Sequence, residues 1–431
     1  MATAPDSESL GGPGGQTPPD VLETTVCIVG AGPAGAILAL LLAQAGVEVV
    51  LLETHRDFDR EFRGDTVHPS TLELLDELGL VDRVLALAHS RMTSIQTATA
   101  DGPFAPIDLS YIEGRYPFVA MVPQARLLGL LTAEAARYPA FHLYMGATVH
   151  DLLRDPDGTV RGVTLKAGQR QCLIRAKLVV GADGRFSRVR KLIGEEPIGS
   201  APPMDVLWFR LSRRSEDGDG VITRVKNGHI LIQLDRGDHW QLGFIFAKGH
   251  YQELRQGGLP ALQAAITALA PNFADRIGEL TDFRDFSLLS VESSRVRRWY
   301  RPGLLLIGDA AHVMSPIAGV GINFAIQDAV VAFNRLTRPL RDGTLDEADL
   351  AAVQRTRELP TRIIQAFQAQ AQKRIVHPAL SAASDGGSDR LLKIPAWLRF
   401  LTARPLVKRR LANLLAYGPV RVHIDRTLLG R

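Results

Sequence analysis

Glycines at a fixed spacing are the first feature of the sequence with a clear chemical use. Residues 30–35 read GAGPAG and lie between an apolar run and an alanine- and leucine-rich segment typical of a helix. In such a turn Gly30 permits the tight bend, Gly32 lets the backbone approach a pyrophosphate, and Gly35 allows close packing of helix on strand. Because N–H groups at a helix N-terminus attract phosphate, the spacing predicts a dinucleotide site.

An acidic residue stands at the end of the next predicted strand. Glu53 follows the apolar run 47–52, where a carboxylate accepts hydrogen bonds from an adenosine ribose and repels a 2′-phosphate. A strand at 25–29, a helix at 34–45 and the strand at 47–52 form one βαβ unit. This context favours FAD or NAD over NADP as the bound dinucleotide.

A second motif, LVVGADGRFSRVRK at 178–191, places Asp183 and Gly184 on a tight turn after a strand. Asp183 could hold a ribose or order a pyrophosphate-binding loop, and the arginines that follow could meet phosphate. A capped junction between a strand and a helix, with its arginines on the surface, explains the same residues. The motif alone leaves both interpretations open.

A third motif, GLLLIGDAAHVMSPIAGVGINFAIQDA, covers residues 303–329. Asp309 ends an aliphatic strand, where it can accept hydrogen bonds from sugar or polyol hydroxyls. Residues 319–323 present backbone N–H groups at the start of a helix predicted near Ile322, and a reduced, anionic flavin ring would need that positive potential. A plain dehydrogenase has no use for this element. His312 is typical of a packed structural histidine.

The succession of GxGxxG, GADG and GDAAHxxxP resembles the class A flavoprotein aromatic hydroxylases, the para-hydroxybenzoate hydroxylase-like group of FAD-dependent monooxygenases. The resemblance covers about residues 24–375. It implies non-covalent FAD, with NADH or NADPH as a transient electron donor because no second GxGxxG unit is present. The implied cycle reduces the flavin, adds dioxygen to give a C4a-hydroperoxide, and transfers the distal oxygen to an aromatic or polycyclic small molecule. The protein must then exclude water and aim the substrate.

The resemblance also implies cofactor contacts along all three motifs and in two shorter segments. Arg63 lies in the stretch RGDTVHP, while Gln124 and Arg126 lie at a helix start in VPQARLLGLL. A charge on a helix surface explains Arg126 equally well. The implied FAD-binding residues are Gly30, Gly32, Pro33, Ala34, Gly35, Glu53, Arg63, Gln124, Arg126, Asp183, Gly184, Asp309, Pro316, Gly319, Gly321, Ile322 and Asn323.

The runs VLWFRL, HILIQL and WQLGFIF predict a mixed or antiparallel sheet that walls the reaction site. Arg210 lies within an apolar strand, and a buried arginine needs an anionic partner: the substrate, the flavin or a nearby acid. Arg210, Pro316 and His68 are the candidate catalytic residues, and His229 is a weaker candidate base. Further candidates for the wall are Trp208, Gln233, Trp240 and Phe244, although a hydrophobic core behind the sheet explains each of them better.

Other activities on the same fold are an epoxidase, a flavin halogenase or another oxidoreductase. The WxWxIP segment of such halogenases does not occur in the sequence. A non-enzymatic protein like the GDP-dissociation inhibitors binds no flavin, and the element 309–323 argues against it. The sequence leaves open the substrate, the choice between NADH and NADPH, and whether the protein is a monomer or a homodimer.

The 431 residues exceed the ~250–300 at which a single core stops growing, so two domains or one large insertion are expected. The motifs predict an α/β fold in which a Rossmann-like FAD-binding domain is interrupted by a mixed β-sheet substrate domain, with a helical C-terminal part. The predicted segments are a flexible leader at 1–20, the FAD-binding domain at 21–91, 121–200 and 285–376, the substrate domain at 92–120 and 201–284, and the C-terminal helical segment at 377–431.

Charge and cysteine content narrow the function classes. Residues 391–431 hold nine of the 50 basic residues and one acidic residue, whereas the rest of the chain carries 41 basic and 45 acidic residues. A nucleic-acid partner is therefore not expected. Two isolated cysteines predict neither disulfides nor a metal site, which fits a cytoplasmic enzyme. Membrane association is not expected, because prolines divide the basic tail into short helices that suit packing on the body.

Overall fold

The computed structural model describes residues 17–59, 65–87, 90–99, 102–218, 220–226, 228–381 and 394–430. Most of the predicted leader and Arg63 lie outside these residues. The fold is α/β, as predicted. Its strands are β1 (Val21–Val29), β2 (Val49–Glu53), β3 (Thr66–Val67), β4 (Ser90–Met92), β5 (Ser94–Thr97), β6 (Phe104–Asp108), β7 (Val119–Met121), β8 (Phe141–Met145), β9 (Ala147–Arg154), β10 (Val160–Ala167), β11 (Arg170–Gly181), β12 (Ile198–Ser200), β13 (Met204–Ser212), β14 (Val221–Lys226), β15 (His229–Asp235), β16 (His239–Ala247), β17 (Ser287–Ser290), β18 (Ser293–Arg295), β19 (Tyr300–Arg301), β20 (Leu304–Leu306) and β21 (His312–Val313).

Helices surround the sheets and dominate the last hundred residues. Their bounds are α1 (Pro33–Gln44), α2 (Pro69–Glu77), α3 (Val81–Leu85), α4 (Gln124–Ala135), α5 (Arg188–Leu192), α6 (Tyr251–Gln256), α7 (Gly258–Leu269), α8 (Gly321–Asp342), α9 (Glu347–Ala371), α10 (His377–Ser381), α11 (Ala396–Ala403) and α12 (Pro405–Tyr417). The helix α1 buries every residue from 34 to 43 between the main sheet, α4 and α8. A helix that is apolar on all sides needs such an enclosed position.

The main sheet has the strand order β19-β20-β11-β1-β2-β8, and β10 and β9 extend it from β11. The pairs β20–β11, β11–β1, β1–β2 and β2–β8 are all parallel. Parallel strands place their carboxyl ends at one edge of a sheet, and ligands of doubly wound folds bind outside that edge. The residues that follow β1, β2, β11 and β20 are therefore neighbours in space.

A second sheet of seven strands has the order β17-β13-β16-β15-β14-β5-β6. Its outer face packs on α7 in an aromatic core that includes Trp240, Phe244 and Phe246. The sheet joins strands from 94–108 with strands from 204–290, the two segments that the sequence assigns to a substrate domain. Its last strand, β17, lies just past the predicted boundary at residue 284, and the domain division itself stays a prediction.

One long helix combines apolar composition with burial. The segment Ile317–Asp342 is long and apolar enough to cross a membrane, with a mean hydropathy of 1.3, but 67% of its most apolar 18-residue window is buried inside the protein. The buried side of α8 includes Ile326, Ala329 and Phe333 in the main core. Its composition therefore matches a core helix of a globular fold.

The two helices of the C-terminal tail behave differently. In α12 the side chains of Ala412, Leu415 and Tyr417 are buried, and the Tyr417 hydroxyl donates to Glu73 at 2.8 Å. In α11 only Thr402 is buried, and large apolar side chains such as that of Trp397 are exposed. The expected packing of the tail on the body is therefore made by α12.

Two substitutions in α12 test how much this packing stabilises the fold. Tyr417 is 2% exposed and Leu406 is 75% exposed. We expect Tyr417→Ala to lower the free energy of unfolding by about 3 kcal/mol, because it leaves a cavity and removes the donor to the half-buried Glu73. Leu406→Ala should change it by less than about 0.5 kcal/mol. Urea unfolding of both variants measures the difference, and equal stabilities would mean that α12 does not hold the body together.

Candidate cofactor and substrate site

The three sequence motifs meet at the carboxyl edge of the main sheet. Val29 pairs with Gly181, and Gly181 pairs with Leu306, so the ends of β1, β11 and β20 lie side by side. Gly30, Asp183 and Asp309 therefore come together although the chain separates them by more than a hundred residues at each step. Glu53 ends β2, on the other side of β1.

The glycines of the first motif differ in the space around them. Gly30 has φ +103°, and a Cβ there would lie 2.5 Å from the carbonyl oxygen of Ala182. A Cβ at Gly35 would lie 2.0 Å from the carbonyl oxygen of Gly30, so both positions exclude a side chain. A Cβ at Gly32 meets no protein atom within 4 Å. The open side of the turn is therefore at Gly32, directly before the first turn of α1.

Glu53 is buried beneath this turn and accepts hydrogen bonds from backbone groups. Its carboxylate accepts from the N–H of Ala31 at 3.0 Å and from the N–H of His55 at 3.0 Å. The ring Nδ1 of His55 lies 2.8 Å from the same carboxylate. Glu53 thus fixes the glycine turn, and its contact with a ribose stays a prediction.

Asp183 caps the helix that follows it. Its carboxylate accepts from the hydroxyl of Ser187 at 2.5 Å and from the backbone N–H of Arg188 at 2.6 Å and of Val189 at 3.0 Å. Burial raises the pKa of Asp183, and these hydrogen bonds reduce the shift. The carboxylate of Asp183 therefore caps the helix. Of the two interpretations left open by the sequence, this is the capped junction between a strand and a helix.

Arg190 joins the second motif to the third. Its guanidinium is buried and donates to the carbonyl oxygens of Arg185 at 2.6 Å, Ala310 at 3.1 Å and Asp309 at 3.3 Å. The sequence suggested phosphate as a partner of these arginines. The structure instead shows Arg190 holding two turns of the protein together.

A buried carboxylate on α8 organises the turn that carries Asp309. Asp328 accepts from the N–H of Gly308 at 3.0 Å, from Nε2 of His312 at 2.6 Å and from Nε of Arg357 at 2.7 Å. Burial raises the pKa of Asp328, but the charges of His312 and Arg357 outweigh burial, and the net shift is downward. Sequence reasoning missed this centre, because Arg357 lies on α9, outside every motif.

The loop 316–321 lies between the Asp309 turn and α8. The hydroxyl of Thr66 donates to the carbonyl oxygen of Gly319 at 2.7 Å. The side-chain oxygen of Asn323 accepts from the N–H of His68 at 2.9 Å and from the hydroxyl of Thr71 at 2.7 Å. The side chain of Asn323 therefore connects the start of α8 to residues 66–71. Gly321 and Ile322 are half-buried at that start.

His68, a candidate catalytic residue, is fully buried at 0% exposure. Its Nδ1 lies 2.9 Å from the carbonyl oxygen of Leu415 in α12, and burial lowers the pKa of its ring to about 4. The ring is thus neutral at pH 7 and its Nδ1 is engaged by the tail. This placement favours a bracing role over that of a substrate base.

The two faces of the second sheet have different neighbours. Trp240, Phe244 and also Gln233 lie on the outer face with α7, so these three candidates for the wall do not line the loop. On the inner face Val206, Ile230 and Ile245 pack toward Ile317. This inner face is the wall nearest the loop 316–321.

Arg210 lies on the same inner face as Trp208, paired with Gln241. It is exposed rather than buried, which corrects the assumption made from its apolar strand. The alternation of β13 continues through Arg210, with Phe209 and Leu211 buried on the other face, so Arg210 points away from that core and is exposed. Its charge acts on Asp65, whose carboxylate bonds Arg236 at 2.9 Å.

The remaining predicted contacts are spread around the same edge. The N–H of Gln124 donates to Asp65 at 3.1 Å at the start of α4. Arg126 is exposed, as its surface interpretation requires, and Pro316 is also exposed. Gly184 has φ +80° and open space around it.

Comparison of the sequence with known protein families identifies the family of this chain. The family described as "FAD binding domain" matches residues 23–366. The chain belongs to this FAD-binding family. The resemblance inferred from the three motifs is thereby confirmed.

The named relatives of the FAD-binding chain are monooxygenases. The 6-methylpretetramide 4-monooxygenase of Streptomyces rimosus is 37% identical over 339 residues, which cover 78% of this chain and 80% of that protein. A 12-dehydrotetracycline 5-monooxygenase/anhydrotetracycline 6-monooxygenase of the same species is 32% identical over 71% of this chain, and the match spans 61% of that protein. The solved anhydrotetracycline hydroxylase of Streptomyces rimosus, 26% identical, aligns with 92% of this chain and 76% of its own at a TM-score of 0.73. This protein is a flavoprotein monooxygenase.

The residues present fit FAD. At Gly32 the space that a Cβ would fill is empty, whereas at Gly30 and Gly35 backbone atoms of the protein occupy that space. A pyrophosphate against Gly32 would meet the N-terminus of α1. The turn that carries Asp309 and the loop 316–321 would hold the remainder of the cofactor. The individual contacts stay predictions.

Two glycine substitutions separate cofactor binding from folding. A Cβ at Gly32 meets no protein atom within 4 Å, so we expect flavin-free Gly32→Val to unfold within about 1 kcal/mol of wild type but to bind FAD roughly tenfold or more weakly. Gly35→Ala puts a Cβ against the Gly30 carbonyl and should destabilise the flavin-free protein by about 3 kcal/mol. Urea unfolding and FAD titration distinguish the two. Undiminished FAD affinity in Gly32→Val would place the pyrophosphate elsewhere.

Asp328→Asn tests the buried centre. The substitution leaves Arg357 buried without a counter-charge, so the free energy of unfolding at pH 7 should fall by about 3–5 kcal/mol. Because the folded-state pKa of Asp328 is lowered, its contribution is complete above the ordinary carboxyl pKa of about 4 and is lost as pH falls through the lower folded-state value. The difference between wild type and variant should therefore shrink in acid. A difference that is constant from neutral to acidic pH would contradict an ionised Asp328.

Proposed function

We propose that this flavoprotein uses NADH or NADPH and dioxygen to hydroxylate an aromatic or polycyclic small molecule. The observation that carries the proposal is the meeting of all three motifs at one sheet edge, opposite an apolar sheet face. The relatives named above act, by their names, on 6-methylpretetramide and on 12-dehydrotetracycline and anhydrotetracycline, which supports a polycyclic substrate here. When bound, FAD supplies the chemistry: it takes up electrons from the nicotinamide and activates dioxygen for transfer.

The chain's own part is to hold the cofactor, orient the substrate and exclude water. The protein itself holds the loop 316–321, because the hydroxyl of Thr66 and the side-chain nitrogen of Asn323 both donate to the carbonyl oxygen of Gly319. The inner face of the second sheet presents Ile230 and Ile245 toward that loop. An apolar wall of this kind keeps bulk water from the reacting atoms.

Arg210 is the proposed partner for an anionic group of the substrate. It shares the inner face with Gln241, which accepts from Nε of Arg236 at 2.7 Å. Burial raises the pKa of Asp65, and the charges of Arg236 and Arg210 reduce this shift without cancelling it. Guanidinium groups at this place suit an ionised hydroxyl of an aromatic ring. Pro316, exposed on the loop, is the proposed contact for the ring itself.

The nicotinamide donor is proposed to bind transiently. The described part of the chain contains one glycine turn of the dinucleotide-binding type, at residues 30–35, and the structure uses it at the centre of the main sheet. A donor that binds briefly against the FAD-binding part needs no further domain. NADH and NADPH are both compatible with this proposal.

Oxygen incorporation tests the proposed function directly. Purified, FAD-loaded protein is given NADH or NADPH, a panel of polycyclic phenols and ¹⁸O₂. We expect one member of the panel to accelerate nicotinamide oxidation and to gain one ¹⁸O atom, since a monooxygenase transfers one atom of dioxygen. Asp309→Ala, which we expect to weaken FAD binding, serves as the control and should lose both effects. Incorporation of oxygen from H₂¹⁸O instead of ¹⁸O₂ would contradict a monooxygenase reaction.

A further inference from the structure

Exposed apolar side chains are concentrated in the last quarter of the chain. The described residues include thirteen exposed large hydrophobic side chains, and nine of these lie between residues 359 and 420. A patch of this kind on a folded protein marks a contact with a membrane or with another macromolecule. The expectation that the tail avoids membranes assumes that it packs on the body, and α11 does not.

The helix α11 carries an apolar stripe that the rest of the protein leaves uncovered. Trp397 and Phe400 are 65% and 66% exposed, and Leu401 is 42% exposed. Their spacing of three and four residues places them on one face of the helix. The guanidinium of Arg404, at the end of α11, lies 4.8 Å from the centre of the Phe400 ring. The stripe thus ends in a positive charge.

The helix α9 carries a second stripe of the same kind. Leu359, Ile363 and Phe367 follow one another at intervals of four residues, and all three are exposed. Exposed basic residues stand on both sides of them in the chain: Arg355 on α9, and Arg374 in the helical turn after it. Both stripes therefore combine large apolar side chains with arginines.

The two stripes belong to helices that both contact α12. Phe367 of α9 lines one shallow groove with Leu411 and Leu414 of α12, and α11 packs on α12. Leu406, in the first turn of α12, is itself exposed. The C-terminal apolar surface, as we name it, consists of Leu359, Ile363, Phe367, Trp397, Phe400, Leu401 and Leu406.

The charges around the C-terminal apolar surface have predominantly one sign. Residues 351–381 and 394–420 hold ten Lys or Arg and one acidic residue, Glu358, which is half-buried. Seven of the ten basic side chains are exposed. One of the seven, Arg409, pairs with Glu113 at 3.0 Å. Charge complementarity therefore favours an anionic partner.

We propose that the C-terminal apolar surface binds the surface of a membrane that contains anionic phospholipids. The aromatic and aliphatic side chains enter the boundary between headgroups and acyl chains, and the arginines stay at the level of the lipid phosphates. A second copy of this chain fits less well, because a two-fold contact would place the same arginines against one another. Nucleic acid fits less well, because leucine and isoleucine side chains neither pair with phosphate nor stack on bases. The inference does not depend on the proposed reaction.

Sedimentation with vesicles tests the proposed binding. FAD-loaded, full-length protein is mixed with vesicles of phosphatidylcholine, with or without phosphatidylglycerol. We expect sedimentation with the anionic vesicles only, and weaker binding at high salt, since salt screens exposed charges. The exposed arginines Arg362 and Arg410 should each contribute, so that Arg362→Gln and Arg410→Gln each weaken binding about fivefold. Absence of sedimentation with anionic vesicles, or equal binding to neutral ones, would overturn the proposal.

Substitutions of the exposed apolar residues separate insertion from the attraction of charges alone. Trp397→Ala with Phe400→Ala should weaken vesicle binding about tenfold or more, because buried apolar area is lost. Leu359→Ala with Ile363→Ala should do the same for α9. The matched control is Leu288→Ala, because Leu288 is 44% exposed on β17, at the opposite edge of the second sheet from β6, on which α11 packs. It should bind like wild type. Wild-type binding in either double variant would remove that stripe from the membrane contact.

Tryptophan fluorescence provides a readout centred on Trp397. Trp240 and Trp299 are buried and Trp208 is half-buried, whereas Trp397 is exposed. Anionic vesicles should shift the emission to shorter wavelength, because the indole of Trp397 enters a less polar environment. Trp397→Phe should still sediment with the vesicles but lose the shift. Soluble polyglutamate, which represents an acidic protein, should produce no shift. A shift with polyglutamate and none with vesicles would identify an acidic protein as the partner and overturn the membrane.

Discussion

The carboxylate of Asp328 is the interaction on which the site depends. It accepts hydrogen bonds from a backbone N–H of the Asp309 turn, from the ring of His312 and from the guanidinium of Arg357. The side chains of Asp328, His312 and Arg357 are all buried. A buried charge is stable only when its partners are complete. The turn after β20, the start of the loop that follows it and the middle of α9 are therefore held in one arrangement. The contacts of Asp328 therefore position the turn at the carboxyl edge of the main sheet where the cofactor is expected.

Polar side chains on the long helices extend the same principle along the loop 316–321. The side-chain nitrogen of Asn323 on α8 donates to the carbonyl oxygen of Gly319 at 3.5 Å, and that of Gln368 on α9 donates to the carbonyl oxygen of Ile317 at 2.8 Å. Each contact pairs a carbonyl of the loop with a side-chain donor. The loop is thus positioned by helices that belong to the rigid part of the fold. A reaction that depends on the relative position of flavin and substrate benefits from such a support.

The sequence predicted what depends on local spacing. The glycine turn, the strand ends that carry Glu53, Asp183 and Asp309, and the sheet at 201–290 follow from glycine positions and from the period of the apolar residues. Arg357 lies 29 residues from its partner Asp328, and Gln368 lies 53 residues from its partner Ser315. Local patterns carry no information on such contacts. Alternation also separates the two faces of β16 without saying which one packs on a helix. For this reason Trp240 was a candidate for the wall and is a core residue on the far face.

The contacts of α12 have a consequence for the order in which the chain can fold during synthesis. His68 and Leu415 are 347 residues apart, and Glu73 and Tyr417 are 344 residues apart. At ~5–20 residues per second, a ribosome makes α12 roughly 20–70 s after α2. For that interval the nascent chain holds the apolar and polar surfaces of α2 without their final cover. The cover of α2 is therefore completed long after α2 itself is made, and during that interval α2 depends on contacts other than its final ones.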